Sequence, residues 1–151
     1  MAEAQAGVRL AEARDLPGLL ALYRELRPHD ERLSPRDASV VLRRLLSDDD
    51  IALVVCDVAG ELTATCMLAI VPQFARAGRP FGVIEHVVTA SAHRRRGFGR
   101  AVLRRALDIA WTRECCKVVL LSGVQRAEAH ALYASVGFSG DIERGFVVQG
   151  P

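Results

Sequence analysis

The sequence has no long run of apolar residues, and this absence removes one class of protein at the outset. Its 151 residues are 50% hydrophobic and 25% charged, a composition typical of globular domains. No apolar stretch approaches the ~20 residues that a membrane-spanning helix needs. The first ten residues, MAEAQAGVRL, also lack the apolar segment of a secretory signal. We therefore expect one soluble domain over 1–151, located in the cytoplasm and making no membrane contact.

Cysteine chemistry also has little support. None of the four cysteines, Cys56, Cys66, Cys115 and Cys116, belongs to a CxxC pair. Two adjacent cysteines suit neither ordinary disulfide geometry nor a tetrahedral zinc site. Buried, reduced thiols are therefore the expected state, and we expect no metal.

Neither sign of charge dominates the chain, but positive charge is concentrated in one segment. The net charge is only +2, yet arginines cluster at Arg94, Arg95, Arg96, Arg100, Arg104 and Arg105. Such a cluster suits a solvated helix face or a nucleic-acid surface. The chain has only five Phe, two Tyr and one Trp, and it carries no nucleic-acid-binding motif. We expect no nucleic-acid partner.

Hydrophobic spacing predicts helices first and strands later. Asp15 and Pro17 are expected to begin one helix, and Ser34 with Pro35 a second. Ala59-Gly60 predicts a hairpin turn between two strands. The other predicted elements are strands at 8–11, Ile51–Val58, 62–71, Phe81–Thr89, 118–121 and 145–148, a loop at 72–80, and helices at 97–113 and 127–136. A hairpin followed by strand, helix and strand predicts a mixed α/β (α+β) domain.

The turn after Phe81–Thr89 has a distinctive pattern, Arg94-x-x-Gly97-x-Gly99. Glycines let a backbone approach a ligand closely, and the start of the next helix offers free N–H groups and a positive dipole end. The flanking arginines add charge, so the turn suits a pyrophosphate. A plain strand–helix connection is the structural alternative. Since neither G-x-x-x-x-G-K-[ST] nor G-x-G-x-x-G is present, nicotinamide binding is a minor alternative.

This turn resembles the [QR]-x-x-G-x-[GA] acetyl-CoA signature of the GCN5-related N-acetyltransferase (GNAT) superfamily. A second segment, H-A-L-Y-A-S-V-G-F at 130–138, is similar to the family ending A-x-x-x-Y-x-x-x-G-F. The resemblance covers nearly the whole chain. It implies a mostly antiparallel central sheet with a βαβ acetyl-CoA-binding unit and flanking helices. It also implies transfer of an acetyl group from acetyl-CoA to an amine, by direct attack in a ternary complex and without a metal.

Two segments also resemble glucosamine-6-phosphate N-acetyltransferases and their bacterial relatives, with His86 and Cys116 at variable positions. They are V-I-E-H-V-V at 83–88 and C-K-V-V-L-L at 116–121. The acceptor is therefore expected to be the primary amine of a small molecule or peptide, with glucosamine 6-phosphate as one alternative. A non-catalytic acyl-CoA sensor is another. Because many relatives are dimers, a homodimer paired through 145–148 is also expected.

The resemblance assigns the cofactor contacts. Val87, Val88 and Thr89 would offer backbone groups to the pantetheine arm, and a bulge near Val87 or Val88 would aim an N–H at the thioester oxygen. Pyrophosphate contacts fall to Arg94, Arg95, Arg96, Gly97, Phe98, Gly99 and Arg100.

Two side chains are expected to act in catalysis. Tyr133 would protonate the departing sulfur, since a thiol has a pKa of ~8.5. Its alternative is aromatic core packing. Glu85 lies in an apolar strand and needs a partner. It would bind an ammonium or relay its proton through water, or else simply pair with a nearby arginine.

Sequence spacing also predicts the surroundings of these residues. Strand alternation places His86 on the face opposite Glu85, and His93 is expected at the surface. The acceptor pocket is expected from the first two helices, the 72–80 loop and the last strand.

Overall fold

The computed structural model of the chain describes residues 6–151. The strands are β1 (Gly7–Leu10), β2 (Ile51–Val58), β3 (Glu61–Val71), β4 (Phe81–Thr89) and β5 (Val118–Leu120), and the α-helices are α1 (Leu16–Leu26), α2 (Pro35–Ser47), α3 (Phe98–Thr112) and α4 (Ala127–Ala134). Within this range, no helix combines the length and apolarity that crossing a membrane requires.

The five strands form one sheet in the order β1-β2-β3-β4-β5. The first three pairings are antiparallel, whereas β4 and β5 are parallel. Parallel neighbours need a crossover connection, and α3 supplies it. The mixed α/β fold predicted from the sequence is therefore confirmed.

Local sequence signals account for most element boundaries. Ser34 caps α2 by accepting a hydrogen bond from the Asp37 N–H at 3.1 Å, and Pro35 occupies the first helical position. Ala59 and Gly60 both have positive φ, 53° and 86°, as a tight hairpin turn requires. Asp15 precedes α1 but makes no capping bond to it. Its buried carboxylate instead accepts from Arg9 at 2.7 and 2.9 Å.

The sheet separates two apolar clusters. One lies between the sheet and helices α3 and α4 and includes Cys66, Leu68 and Val102; the other lies under α1 and α2 and includes Leu22 and Leu42. Cys56, Cys66 and Cys115 are buried and Cys116 is half-buried, and all four are free thiols. The expected burial is confirmed for Cys56, Cys66 and Cys115 but not for Cys116, and the last two cysteines precede β5.

The predicted strand at 145–148 is wrong. No strand follows β5 in the described chain, and Phe146 and Val148 are 88% and 94% exposed. The Lys117 Nζ to Glu143 Oε1 contact of 2.9 Å holds the tail beside β5, but no backbone ladder forms. Within one chain the apolar side chains of this segment have nothing to pack against, so burial does not compensate the entropy of ordering a strand.

Candidate active site

A cleft opens where β4 and β5 separate. Their pairing ends at Ile84 and Leu120, while β4 continues to Thr89 with no strand beside it on that side. The opening holds a cavity of about 1470 Å³. It is bordered from both faces of the sheet, by the end of α1 on one face and by α4 on the other. Backbone groups of β4 thus line the cleft, a slot between the ends of β4 and β5 that is open to both faces of the sheet.

A β-bulge interrupts β4 inside this cleft. Thr65 pairs with Val88 and Met67 with Glu85, so His86 and Val87 together oppose Cys66 alone. His86 has φ 56°, a left-handed conformation uncommon outside glycine. The expected bulge near Val87 is therefore present. It also ends the regular alternation. Glu85 pairs with Met67, which packs on the α1 side of the sheet, and His86 stacks on Tyr23 of α1, so the prediction of opposite faces is wrong.

The His86 ring fills the α1 side of the bulge. It stacks on Tyr23 with ring centroids 5.3 Å apart and planes 24° apart. Its Nδ1 is buried and has no hydrogen-bond partner among residues 6–151. Burial raises the pKa of the Tyr23 hydroxyl to about 12, with smaller contributions from Cys66 and Glu85.

The glycines of the arginine-rich turn have two different functions. Gly97 precedes α3 with φ 85°, so it supplies a left-handed backbone and leaves open space around its Cα. At Gly99, a Cβ would lie 2.8 Å from Thr89 Oγ1 and 3.3 Å from Leu132 Cδ2. Gly99 also borders the cleft, so its expected contact with the ligand stays a prediction. The close packing of α3 on β4 and α4 is a second reason for a small residue at this position.

The start of α3 carries groups of the kind that bind anions in other proteins. The first helical backbone bond runs from Ala101 N to Gly97 O, which leaves the preceding N–H groups, Phe98 to Arg100, without helical acceptors. Arg94, Arg95 and Arg100 border the cleft. Arg96 does not border it; its Nη1 lies 3.2 Å from His93 Nδ1, and its guanidinium lies 5.2 Å from the Phe98 ring centre.

Tyr133 projects from α4 into the cleft. It is 8% exposed, and its ring meets Phe138 edge-on at 6.3 Å. Burial raises the pKa of this phenol, while Arg126 and the nearby Ser122 hydroxyl oppose the shift. The Ser122 and Tyr133 groups do not meet hydrogen-bond geometry, and Ser122 Oγ is buried without a partner in the described chain. Tyr133 is therefore protonated at neutral pH and able to donate.

Glu85 is half-buried and borders the cleft directly after Ile84, the last β4 residue paired with β5. Its charge contributes to the raised pKa of both Tyr23 and Tyr133, which places it near both faces of the slot. Among residues 6–151 its carboxylate has no hydrogen bond or ion pair, so the suggested pairing with an arginine is not formed.

The walls of the cleft differ from the predicted acceptor pocket. The end of α1 contributes Glu25, Leu26 and Arg27, but no residue of α2, the 72–80 loop or the tail borders this cleft. The loop lies at the other end of β4, where Gln73 Nε2 is 3.3 Å from Cys116 Sγ. Ser122 was missed from the sequence, although a polar residue directly after an apolar strand was the available signal.

The chain is similar to several known proteins. The chain matches the family model described as "Acetyltransferase (GNAT) family" over residues 16–138. A rice protein (Oryza sativa subsp. japonica) named "Probable glucosamine 6-phosphate N-acetyltransferase 2" is 38% identical over 103 residues, 66% of this chain and 58% of that protein. A Trypanosoma brucei brucei protein named "Glucosamine 6-phosphate N-acetyltransferase" is 33% identical over 79 residues, 52% of each chain. The chain thus spans little more than half the length of these curated relatives.

Solved structures agree over a longer region. One from Agrobacterium tumefaciens str. C58, named as an acetyltransferase, is 40% identical with a TM-score of 0.91, covering 95% of this chain and 99% of the other. The glucosamine-6-phosphate N-acetyltransferase of Arabidopsis thaliana is 22% identical with a TM-score of 0.83, covering 97% and 98%; this likeness shows the fold alone. Because the family model matches most of its length, the chain belongs to the acetyltransferase (GNAT) family.

Proposed function

We propose that this acetyltransferase uses acetyl-CoA to acetylate the primary amine of a small molecule or peptide, with both substrates bound together. The observation that carries the proposal is the meeting of Tyr133 and Glu85 in one cleft. That cleft also reaches the arginine-bearing start of α3. Acetyl-CoA bound along the turn and an amine entering from the α1 side would then meet beside Tyr133 and Glu85.

The residues present fit acetyl-CoA. Free N–H groups at the start of α3, with Arg94, Arg95 and Arg100 beside them, match the charge and acceptor oxygens of a pyrophosphate. The unpaired edge of β4 from Val87 to Thr89 offers backbone groups to an extended amide-bearing arm. Acetyl-CoA supplies the activated acetyl thioester.

The chain's own groups have distinct parts in the proposed reaction. Glu85 holds the acceptor and receives its proton, directly or through water, so that a neutral amine forms the new N–C bond. A backbone N–H of the bulge donates to the thioester oxygen as negative charge develops there. The C–S bond breaks, and the Tyr133 hydroxyl donates its proton to the departing sulfur. The attacking nitrogen loses its second proton, which returns through water to the Tyr133 phenolate as the amide forms.

A panel of amines assayed with acetyl-CoA and thiol detection tests this function. Amine-dependent release of CoA thiol is expected, with mass spectrometry showing an acetylated product. Glucosamine 6-phosphate belongs in the panel as the second candidate acceptor, because two curated relatives carry that name. Glucosamine without the phosphate is its matched comparison. If none of the amines in the panel causes release of CoA thiol, the proposal is contradicted.

Glu85→Gln is expected to lower kcat/KM for the amine roughly a hundredfold and to leave CoA affinity unchanged. The amide keeps the shape of the side chain but cannot accept a proton. The loss should shrink as pH rises above the pKa of the acceptor, where the amine is already neutral. Glu128→Gln is the matched control, since Glu128 borders the same cleft from α4. Equal losses in both variants, or a loss independent of pH, would argue against the role of Glu85.

We also propose that two copies associate along the free edge of β5. Leu121 and Val124, which follow β5, are 56% and 86% exposed, and Phe146 and Val148 of the tail are 88% and 94% exposed. Exposed apolar side chains beside an unpaired strand edge favour association. Sedimentation velocity at micromolar concentration is expected to give a dimer, and the double variant F146S/V148S a monomer. Phe74→Ser, which alters a fully exposed residue of the 72–80 loop, should remain dimeric. A monomeric unsubstituted chain would refute the association.

A further inference from the structure

The outer side of the arginine-rich turn carries a chain of three polar side chains. His93 Nε2 lies 3.0 Å from Glu61 Oε1, and His93 Nδ1 lies 3.2 Å from Arg96 Nη1. The His93 side chain is only 17% exposed, against 68% for Glu61, so the predicted surface position of His93 is corrected. These contacts connect the β2–β3 hairpin to the turn that precedes α3.

The chemistry of these groups fixes the direction of the hydrogen bonds. A guanidinium has donors only, so His93 Nδ1 must accept from Arg96. The ring proton of a neutral imidazole then resides on Nε2 and is donated to the Glu61 carboxylate. The contacts therefore select one tautomer of His93.

The chain of contacts ends on Phe98, the first residue of α3. The Arg96 guanidinium lies over the Phe98 ring at 5.2 Å, and His93 meets the same ring edge-on at 6.1 Å. Phe98 also borders the cleft. Arg96 itself is flanked by two left-handed residues, Arg95 with φ 62° and Gly97 with φ 85°. For arginine this conformation costs about 1–2 kcal/mol, so contacts outside the turn have to maintain it.

We propose that Glu61, His93 and Arg96 are positioning residues that hold the turn in its anion-binding conformation, and that Arg96 is not itself a phosphate ligand. The inference rests on the proposed binding of acetyl-CoA at this turn. A turn already held in the bound conformation loses less conformational freedom when the ligand arrives. Removal of any of the three side chains should therefore weaken CoA binding without changing kcat.

The first test needs no ligand. Nitrogen-15 NMR of the imidazole ring in the free protein is expected to show His93 protonated at Nε2 and bare at Nδ1. In Arg96→Ala and Glu61→Ala this preference should weaken, because each variant removes one of the two contacts. A ring protonated at Nδ1 in the unsubstituted protein would contradict the arrangement.

The second test uses the sign of a charge effect. CoA is an anion, so removal of a nearby carboxylate should tighten its binding if only charge matters. Calorimetry is instead expected to show that Glu61→Ala weakens CoA binding about threefold to tenfold, the scale of one lost hydrogen bond. Glu128→Ala, which removes a carboxylate bordering the cleft, is the matched control and should leave binding unchanged or tighter. The E61A/R96A double variant should lose less than the sum of the two single losses.

The possible outcomes distinguish failure of the proposed function from failure of the positioning role. If the unsubstituted chain binds no CoA, the proposed function fails, and the positioning role fails with it. If CoA binds and Glu61→Ala tightens or preserves that binding, only the positioning role is overturned.

Discussion

Tyr133→Phe is expected to lower kcat by about tenfold to a thousandfold while leaving acetyl-CoA affinity nearly unchanged. The substitution removes one hydroxyl from a residue that is 8% exposed and keeps the ring that packs on Phe138. The proton donated to sulfur matters as the C–S bond breaks and little before that. Loss of the donor should therefore appear in kcat rather than in binding. Steady-state kinetics and calorimetry with CoA measure the two quantities separately.

The other tyrosine provides the matched control. Tyr23 is half-buried, but it stacks on His86 from the α1 side, so Tyr23→Phe should retain most of kcat. Acetyl thioesters of more acidic thiols should restore activity to Tyr133→Phe in particular, because their leaving groups need the proton less. Since burial raises the pKa of Tyr133, its donor form persists through neutral pH and is lost only in strong alkali. A Phe variant with full turnover at saturating amine would show that Tyr133 serves packing alone.

Gly97→Glu is expected to weaken CoA binding on the order of a hundredfold or more. Two unit charges a few ångströms apart near a protein surface repel by about 4 kcal/mol. The new carboxylate would stand at the start of α3, where the free N–H groups now face the cleft. No neighbouring atom lies within 4 Å of the added Cβ, so the side chain enters open space. Calorimetry with CoA gives the affinity directly.

Gly97→Gln separates charge from backbone strain. Both variants place a side chain on a residue with φ 85°, so both incur the same backbone strain. Glutamine should therefore show the strain effect alone, with a loss much smaller than that of glutamate. The corresponding change at Gly99 is less informative, because a side chain as large as glutamate there would press on Thr89 and Leu132 and disturb the fold. Equal affinities for Gly97→Glu and the unsubstituted chain would remove the turn from the binding site.

Elements with strong local signals could be predicted from the sequence. Ser34 and Pro35 begin α2 at the expected residue, and Ala59-Gly60 makes the expected turn. The Arg94-x-x-Gly97-x-Gly99 pattern and the 130–138 segment, which resemble two motifs of one family, also led to the fold that the structure shows. In each case a few adjacent residues contain the whole physical cause, either a capping oxygen or a permissive glycine.

Features that depend on distant contacts could not be predicted. Strand alternation predicted that His86 and Glu85 lie on opposite faces. The bulge that interrupts this alternation depends on the register between β4 and β3 near Cys66, which the sequence of β4 alone does not contain. Arg96 belongs to the same run as Arg94 and Arg95, and only its contact with His93 distinguishes it. The tail at 145–148 has the composition of a strand but forms none, because its apolar side chains remain exposed within one chain. The conformations of His86, Arg96 and the 145–148 segment thus depend on contacts with distant residues rather than on local sequence propensity.

The position of Gly99 has a consequence for the evolution of such chains. An added Cβ would lie 2.8 Å from Thr89 Oγ1 and 3.3 Å from Leu132 Cδ2, so a large side chain at this position harms folding whether or not a ligand binds. A descendant that had lost its activity would still be selected to keep a small residue in this half of the motif for as long as it needed to fold. Gly97 has open surroundings, and its constraint is instead the φ of 85°, which strains most residues that carry a side chain. In inactive descendants the two positions should therefore accept different replacements, with alanine expected at Gly99 and asparagine at Gly97.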